Sequence, residues 1–328
     1  MTPSPRHLLW WGRFDPAYSR NGILRRHLAD LGWRVTDFHP RLCSLAHLEA
    51  ALRRLPTPSA VWVPCFRQRD LPAARRLAAR RHVPLPLAPL ISPYDKQVFA
   101  PAQLPESSPA PPPPPPHTPP PPRHPHLLLA DTPCHVAFFR DTLGVPSSKL
   151  RLVYVGADES MFVPVPEHPP YTPLDVLFYG SFIPLHGAPT IIEAARAYSG
   201  PPVRWHLLGD GPAKPACLTA AADLPNVTFE DKIPYPLLPA RIHRADILLG
   251  VFGTTPKAGR VIPNKVFQAL AAGRPVITRA SDAYPPAAAP SEALALIPPG
   301  DPAALAAAVA AWASPPHAPA ARNRAAPP

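Results

Sequence analysis

Apolar positions in this chain cluster into short, mostly unbroken runs rather than one long amphipathic period. In the first half they fall at 7–11, 33–38, 60–63, 83–87, 126–130 and 149–155. In the second half they fall at 176–179, 203–208, 227–229, 247–252, 275–278 and 293–297. Runs of this length, bounded by turn residues, are what strands covered on both faces look like. Between them lie stretches with helical spacing at 22–31, 45–55, 71–81, 188–198, 237–244, 264–272 and 301–313. Another starts at Asp131, Thr132 and Pro133 and runs to Gly144. Gly32, Gly144 and Gly273 stand where helices close, and Pro133, Pro189 and Pro302 where they open. Strands alternating with helices at this rhythm predict an α/β protein built on doubly wound parallel sheets.

At 328 residues the chain suits two domains of about 150 residues each. The proline pattern supports a division. Proline is extreme, 57 residues, and densest at 105–125, PESSPAPPPPPPHTPPPPRHP. That tract reads as polyproline II or disorder. The expected layout is an N-terminal domain over 1–155 containing the tract, a linker at 156–173, and a C-terminal domain over 174–328. A hydrophobic fraction of 46% is enough for two packed cores.

Four well-separated cysteines, without a Cys-x-x-Cys pair, give no zinc or redox motif and fit a reducing compartment. The start lacks a long apolar signal region, and no run of 18 apolar residues exists. A cytoplasmic protein is expected. Net charge is +11, and most of it lies early: residues 1–100 hold 16 Lys+Arg against 6 Asp+Glu. The arginines are scattered and lack interleaved stacking aromatics, so a nucleic-acid partner is not expected. Two readings of the charge stay open: attraction to an anionic membrane surface, or a composition rich in Ala, Arg and Pro throughout.

The candidate chemistry sits in loops that follow strands. Ligands of open parallel sheets bind beyond the carboxyl ends of the strands. The segment 245–281, ADILLGVFGTTPKAGRVIPNKVFQALAAGRPVITRAS, reads as strand, loop, helix, strand. Lys265 and Gln268 lie three apart on the first turns of its helix. A cation beside free N-terminal amides suits a phosphate. The first strand ends at Gly12, and its loop carries Tyr18, Arg20 and Asn21. The loop after the third strand carries Arg67 and Asp70, and Asp95 follows the fourth. The Gly-x-Gly-x-x-Gly fingerprint is absent, which argues against a nicotinamide-dependent oxidoreductase.

Several ordered segments resemble GT-B glycosyltransferases, particularly the large retaining class called family 4 or group 1. They are YSRN, FRQRD, SPYDK, VGAD, YGSFIPLHG, LLGDGP and IPNKVFQALAAGRPVI. The resemblance implies two Rossmann-type domains facing a cleft. It implies transfer of a sugar from a nucleotide-diphospho sugar to an acceptor hydroxyl, with no cofactor and no metal. Family members place the donor's diphosphate and nucleoside on positions that fall here on Gly180, Ser181, His186, Gly209, Asp210, Gly211, Ile233, Lys265 and Gln268. Gly12, Tyr18, Arg20, Asn21 and Arg67 fall on the acceptor side, and Asp95 is a candidate base. The partners implied are a nucleotide sugar and a glycan or lipid-linked acceptor. The setting implied is cell-surface glycan or glycolipid synthesis at the inner face of the membrane.

The chain also departs from the pattern. A glutamate usual on the ribose is Gln268, the glutamate seven residues upstream is Val261, and a phosphate-binding arginine is Ser181. The proline tract replaces a helix, and about one of the further helices with which family members usually continue is missing. A catalytically degenerate nucleotide-binding relative is the alternative these departures leave open.

Overall fold

The computed structural model describes residues 6–16, 18–53, 55–89, 126–164, 173–288 and 290–314. Two expectations therefore lie outside the described residues: Asp95 with its SPYDK segment, and the proline tract. Cα packing divides the chain into two compact units, Met1–Val155 and Gly156–Pro328.

The first unit is wound β1 (Arg6–Trp11), α1 (Ser19–Asp30), β2 (Trp33–Phe38), α2 (Ala46–Leu52), β3 (Ala60–Trp62), α3 (Leu71–Arg81), β4 (Pro86–Leu87), β5 (Leu127–Ala130), α4 (Pro133–Ala137) and β6 (Leu150–Leu152). The strands form two parallel sets, β2-β1-β3 and β4-β5-β6. A parallel bridge between Val63 and Leu87 joins them, reinforced by Val63 N–H to Pro86 O (3.0 Å) and Ala88 N–H to Val63 O (3.1 Å). Both faces are covered, and the period of two along β1 shows it. Leu9 and Trp11 pack with Val61, Val63 and the Ala74–Leu77 side of α3. Leu8 and Trp10 pack with Ala60, Trp62 and Leu24 and Leu28 of α1. Trp10 stacks on Trp62 with ring centroids 5.2 Å apart. Fully burying each Leu, Val or Phe of such a layer stabilises by about 1.5–3 kcal/mol, which is why the sheet forms where the apolar runs lie.

The second unit is wound β7 (Leu174–Gly180), α5 (Ala188–Ala197), β8 (Val203–Gly209), α6 (Lys214–Ala220), β9 (Val227–Glu230), α7 (Leu238–His243), β10 (Ile247–Leu249), α8 (Asn264–Ala271), β11 (Val276–Arg279), β12 (Leu294–Ile297) and α9 (Pro302–Ala313). Its single parallel sheet has the order β12-β11-β10-β7-β8-β9. The winding reverses between β7 and β10, so their exit loops diverge and leave a crevice there. Val176 and Phe178 face α5 and α9 through Ile191, Ile192, Leu305 and Val309. The nearly all-alanine α9 is started by Asp301, whose carboxylate accepts from Ala304 N–H at 2.9 Å.

Several elements differ from the sequence expectation. The helix expected to run on to Gly144 stops at Ala137 and continues as a π-helical turn, Phe138–Thr142. There Leu143 N–H reaches back to Phe138 O, and the wider turn lets the adjacent Phe138 and Phe139 both reach the core. The strand expected over 149–155 shrinks to Leu150–Leu152, because a 3₁₀ turn, Ser147–Lys149, takes its start. Helix α1 begins at Ser19, three residues before the expected Gly22, and β10 ends at Leu249, before the expected 252. Helix α6 was not expected at all; Pro215 in its first turn is compatible with helix but hides the period.

Candidate functional site

In the second unit, the crevice at the β7–β10 reversal is lined by three loops packed backbone on backbone. Phe252 N–H donates to His186 O (3.0 Å), Gly253 N–H to Leu185 O (3.3 Å) and Ala213 N–H to Phe182 O (3.0 Å). Arg279 Nη1 donates to Gly253 O at 2.6 Å and pins the β10 exit loop. Gly209 and Gly211, both at positive φ, lie with their α-carbons against the carbonyl oxygens of Gly180 and Ser181. Phe182, fully buried, takes φ +43°, a strained value for a side chain of its size.

The floor of the crevice is Gly180. A Cβ there would stand 2.7 Å from the His186 ring and 3.0 Å from Lys265 Nζ. The glycine therefore lets an imidazole and an ammonium approach one strand end together. Ser181 N–H donates to His186 Nδ1 at 3.1 Å, so the ring's remaining proton sits on Nε2. Burial, and after it the charge of Lys265, pulls the His186 pKa down to about 2. The imidazole is a neutral donor throughout the physiological range.

Lys265 projects from the first turn of α8, a helix whose start no side chain caps. Its Nζ is buried and has no hydrogen-bond partner among the described residues. It lies over the ring of Phe178, 4.2 Å from the centroid. Desolvation alone brings its pKa down to about 7. A buried lysine whose charge meets only ring faces is a functional-site candidate.

Gln268, one turn on, is buried between two tyrosines. Tyr179 OH donates to Gln268 Oε1 at 2.9 Å, and Gln268 Nε2 donates to Tyr235 OH at 3.2 Å. The first bond fixes the orientation of the amide. Burial pushes the Tyr179 phenol well above its ordinary pKa, with Tyr235 adding to it, so it stays a donor. Ile233 is half-buried in the loop that leads to Tyr235, while Ser181 and Asp210 are exposed. Asp210 accepts from Gly211 N–H at 2.8 Å. Sequence reasoning missed Tyr179, Tyr235 and Lys214. The last donates to Gly209 O at 2.8 Å and Glu230 O at 3.3 Å, and so closes the wall behind the Gly-Asp-Gly turn. A tyrosine beside the Gly180 strand end and a lysine three residues after Gly211 were the only signals.

In the first unit, the exit loops of β1 and β3 meet in the same way. Gly12 takes φ +114° and its α-carbon faces the Arg67–Asp70 pair; a Cβ would stand 2.5 Å from Asp70 Oδ2. Arg67 Nε donates to that oxygen at 2.6 Å, and its Nη2 lies at the same distance. Asp70 is fully buried. Arg20 is fully buried and donates from Nη2 to Val153 O at 3.1 Å, while Asn21 donates to Asp15 O at 2.9 Å. Tyr18 meets Phe66 edge-on at 5.1 Å. The structure thus places Gly12 and Arg67 together, and gives Arg20 and Asn21 partners within their own unit. A second buried pair, Asp131 with His135, lies where β5 gives way to α4.

Among the described residues there is no group of three or more His, Cys, Asp or Glu arranged to hold a metal ion. Among them, too, no helix is long and apolar enough to cross a membrane.

Residues 173–314 match the family model described as glycosyl transferases group 1. No curated protein sequence matches the chain. Solved structures similar to it include HepE of Anabaena in complex with UDP and glucose: TM-score 0.66, 13% identity, covering 98% of this chain and 94% of that one. Sucrose-phosphate synthase of Thermosynechococcus elongatus gives 0.68 at 16% identity, covering 98% and 92%. The lipopolysaccharide outer core galactosyltransferase WaaB gives 0.63 at 12%, covering 97% and 95%. The second unit is thus similar to group 1 glycosyl transferases, and the chain has the GT-B fold of two Rossmann-like units.

Proposed function

We propose that this chain transfers a sugar from a nucleotide-diphospho sugar to an acceptor hydroxyl, with the diphosphate seated in the β7–β10 crevice. The observation that carries this reading is Lys265, a buried ammonium without a hydrogen-bond partner among the described residues, at the reversal point of a group 1 domain. As the bond from the sugar's anomeric carbon to the diphosphate breaks, negative charge grows on the leaving oxygens. Lys265, the Nε2–H of His186 and the uncapped first-turn amides of α8 are fixed donors for that charge. The new bond joins the acceptor oxygen to the anomeric carbon, and the acceptor's proton leaves to a carboxylate, for which Asp95 is the candidate. Gln268 and Tyr235 face the ribose, and Ile233 and the Gly209–Gly211 turn shape the base pocket.

The finer reading is a retaining, metal-independent family 4 enzyme that needs no cofactor. Its setting is cell-surface glycan or glycolipid synthesis on a glycan or lipid-linked acceptor, in the cytoplasm at the inner membrane face. UDP is the first nucleotide to test, since the HepE neighbour binds it. A second reading, a nucleotide-binding relative without transfer activity, is favoured by Val261 and by the engagement of Gln268 with two tyrosines.

The test is thermal unfolding against UDP, GDP, ADP, CMP and dTDP, on the native chain and on Lys265→Met. A rise in melting temperature with one nucleotide, lost in the variant, is expected. Turnover of the matching sugar nucleotide then separates the two readings. A cooperative melt that no nucleotide shifts would refute both.

A further inference from the structure

The exit loops of the first unit hold polar groups that its own fold leaves unsatisfied. Helix α1 opens on Ser19, Arg20 and Asn21, all three buried. No side chain caps this helix of 12 residues, and no acid lies in its first turn, so its leading amides have no partner within the helix. Ser19 Oγ, Arg20 Nε, Arg20 Nη1 and Asn21 Oδ1 are buried without a hydrogen bond among the described residues. Buried polar atoms are ordinarily paired, and here consecutive residues share the exception.

Arg20 sets the place. It is 1% exposed and donates from Nη2 to Val153 O at 3.1 Å. Its charge also pulls down on the Cys65 thiol, which burial above all pushes up to about 12. Cys65 follows β3 and Val153 follows β6. The guanidinium therefore lies at the carboxyl ends of the strands, where parallel sheets take their ligands. The acids nearby are committed. Asp131, felt by the same thiol, is bonded to His135, and Asp70 is bonded to Arg67. A guanidinium keeps its charge at any working pH, and a buried charge calls for a partner.

Two rings flank this group, since Tyr18 precedes Ser19 and Phe66 follows Cys65. Phe66 takes φ +64° yet is 36% exposed, and it meets the half-buried Tyr18 edge-on at 5.1 Å. Backbone strain that turns a ring towards solvent is a mark of a binding site, and such a ring suits the apolar face of a sugar.

We propose that the acceptor is an acidic sugar, a uronate or a sugar phosphate, whose oxyanion is held by Arg20, Ser19 Oγ and the first-turn amides of α1. Asn21 Oδ1, oriented by the bond from its Nδ2 to Asp15 O, accepts from a ring hydroxyl, and Phe66 and Tyr18 cover the ring. The proposal rests on the transfer reading and names its acceptor class.

The experiment is calorimetric titration of the full chain with glucuronate, glucose 6-phosphate and, as the neutral counterpart, glucose. The native chain is compared with Arg20→Met, Ser19→Ala and Lys265→Met. At least one acid is expected to bind about tenfold or more tighter than glucose, and the tighter of the two tells carboxylate from phosphate. Arg20→Met should weaken it about tenfold or more, and Ser19→Ala several-fold. Ser19→Ala removes a hydroxyl that bonds nothing described in the fold, so it carries the test if Arg20→Met does not melt cooperatively. Binding should persist in Lys265→Met, which removes the competing cation. Glucose binding as tight as the acids, or acid binding that Arg20→Met and Ser19→Ala leave intact, overturns the proposal. So does acid binding lost in Lys265→Met, which assigns the oxyanion to the donor crevice. A melting shift with UDP but no acid binding overturns the acceptor class alone. Acid binding without a UDP shift keeps the site and removes the transfer reading.

Discussion

The exit loops of the two units are built alike and charged differently. Each sheet brings a glycine-ended strand against a neighbouring loop: Gly12 beside Arg67 and Asp70, Gly180 beside His186 and Lys265. Each loop also holds a phenylalanine at positive φ, Phe66 and Phe182. In the first unit Arg67 has its anion, clamped on one oxygen of Asp70, whereas the buried Arg20 meets only the Val153 carbonyl, with its Nε and Nη1 unpartnered among the described residues. In the second, Lys265 has no hydrogen-bond or ion-pair partner among the described residues. A paired charge regains part of what burial cost it, and the pair acts as a brace. An unpaired one holds that cost in reserve until an anion arrives. The same loop architecture thus holds a braced pair in one unit and an unpaired lysine in the other.

The largest way to break this contrast is to unpair the brace. Asp70→Ala leaves the Arg67 guanidinium buried without its partner and is expected to cost about 3–5 kcal/mol, read as a lowered denaturant midpoint. A loss within error of zero would mean that the pair is not a brace.

Lys265→Met makes the opposite case. It is expected to raise stability by about 1–4 kcal/mol near neutral pH while abolishing the nucleotide-induced shift. The sign follows from linkage. The folded pKa, about 7, lies below the ordinary 10.5, so between these values the unfolded chain binds more protons. Stability therefore rises with pH across that window, by up to about 1.4 kcal/mol per unit. His206 runs the other way. Hydrogen bonds to Asp175 and Glu230 raise its pKa from 6.5 to about 9, so its contribution is complete below 6.5 and is lost as pH climbs through 9. The difference between native and Lys265→Met titrations isolates the lysine, and parallel curves would show that Lys265 is not desolvated.

The smallest test sharpens the picture of Gln268. Tyr179→Phe removes the bond that orients the amide and is expected to cost about 1 kcal/mol, with a weakened nucleotide shift. An unchanged shift would take Gln268 out of the ribose site.

Much of the fold is legible in the sequence because parallel strands buried on both faces must be apolar throughout. The runs at 7–11, 60–63, 176–179 and 203–208 needed no tertiary knowledge to read. Helix starts were legible where a cap marks them, as at Asp301, and blurred where none does, as at Ser19. The phosphate candidate Lys265 was readable from its place after a strand and loop at a helix start. Tyr179 and Tyr235 were not readable, because a hydroxyl becomes informative only once the end of β7 and the loop after β9 converge on α8. Arg67 and Asp70 were both expected after the third strand. Their three-residue spacing on a turn allowed a pair, but only burial shows that the pair turns inward.

The β7–β10 reversal also has a consequence for the order in which the molecule assembles. Val176 and Leu248 are register partners, yet two strands and three helices lie between them in sequence. Pairing that skips so much chain is entropically slow to close. The β7–α5–β8 crossover unit can therefore form early in synthesis, while the crevice does not exist until β10 and α8 have left the ribosome. A nucleotide can act as a chaperone only for the last stage of folding, and its effect should appear on the unfolding rate rather than on the early refolding phase.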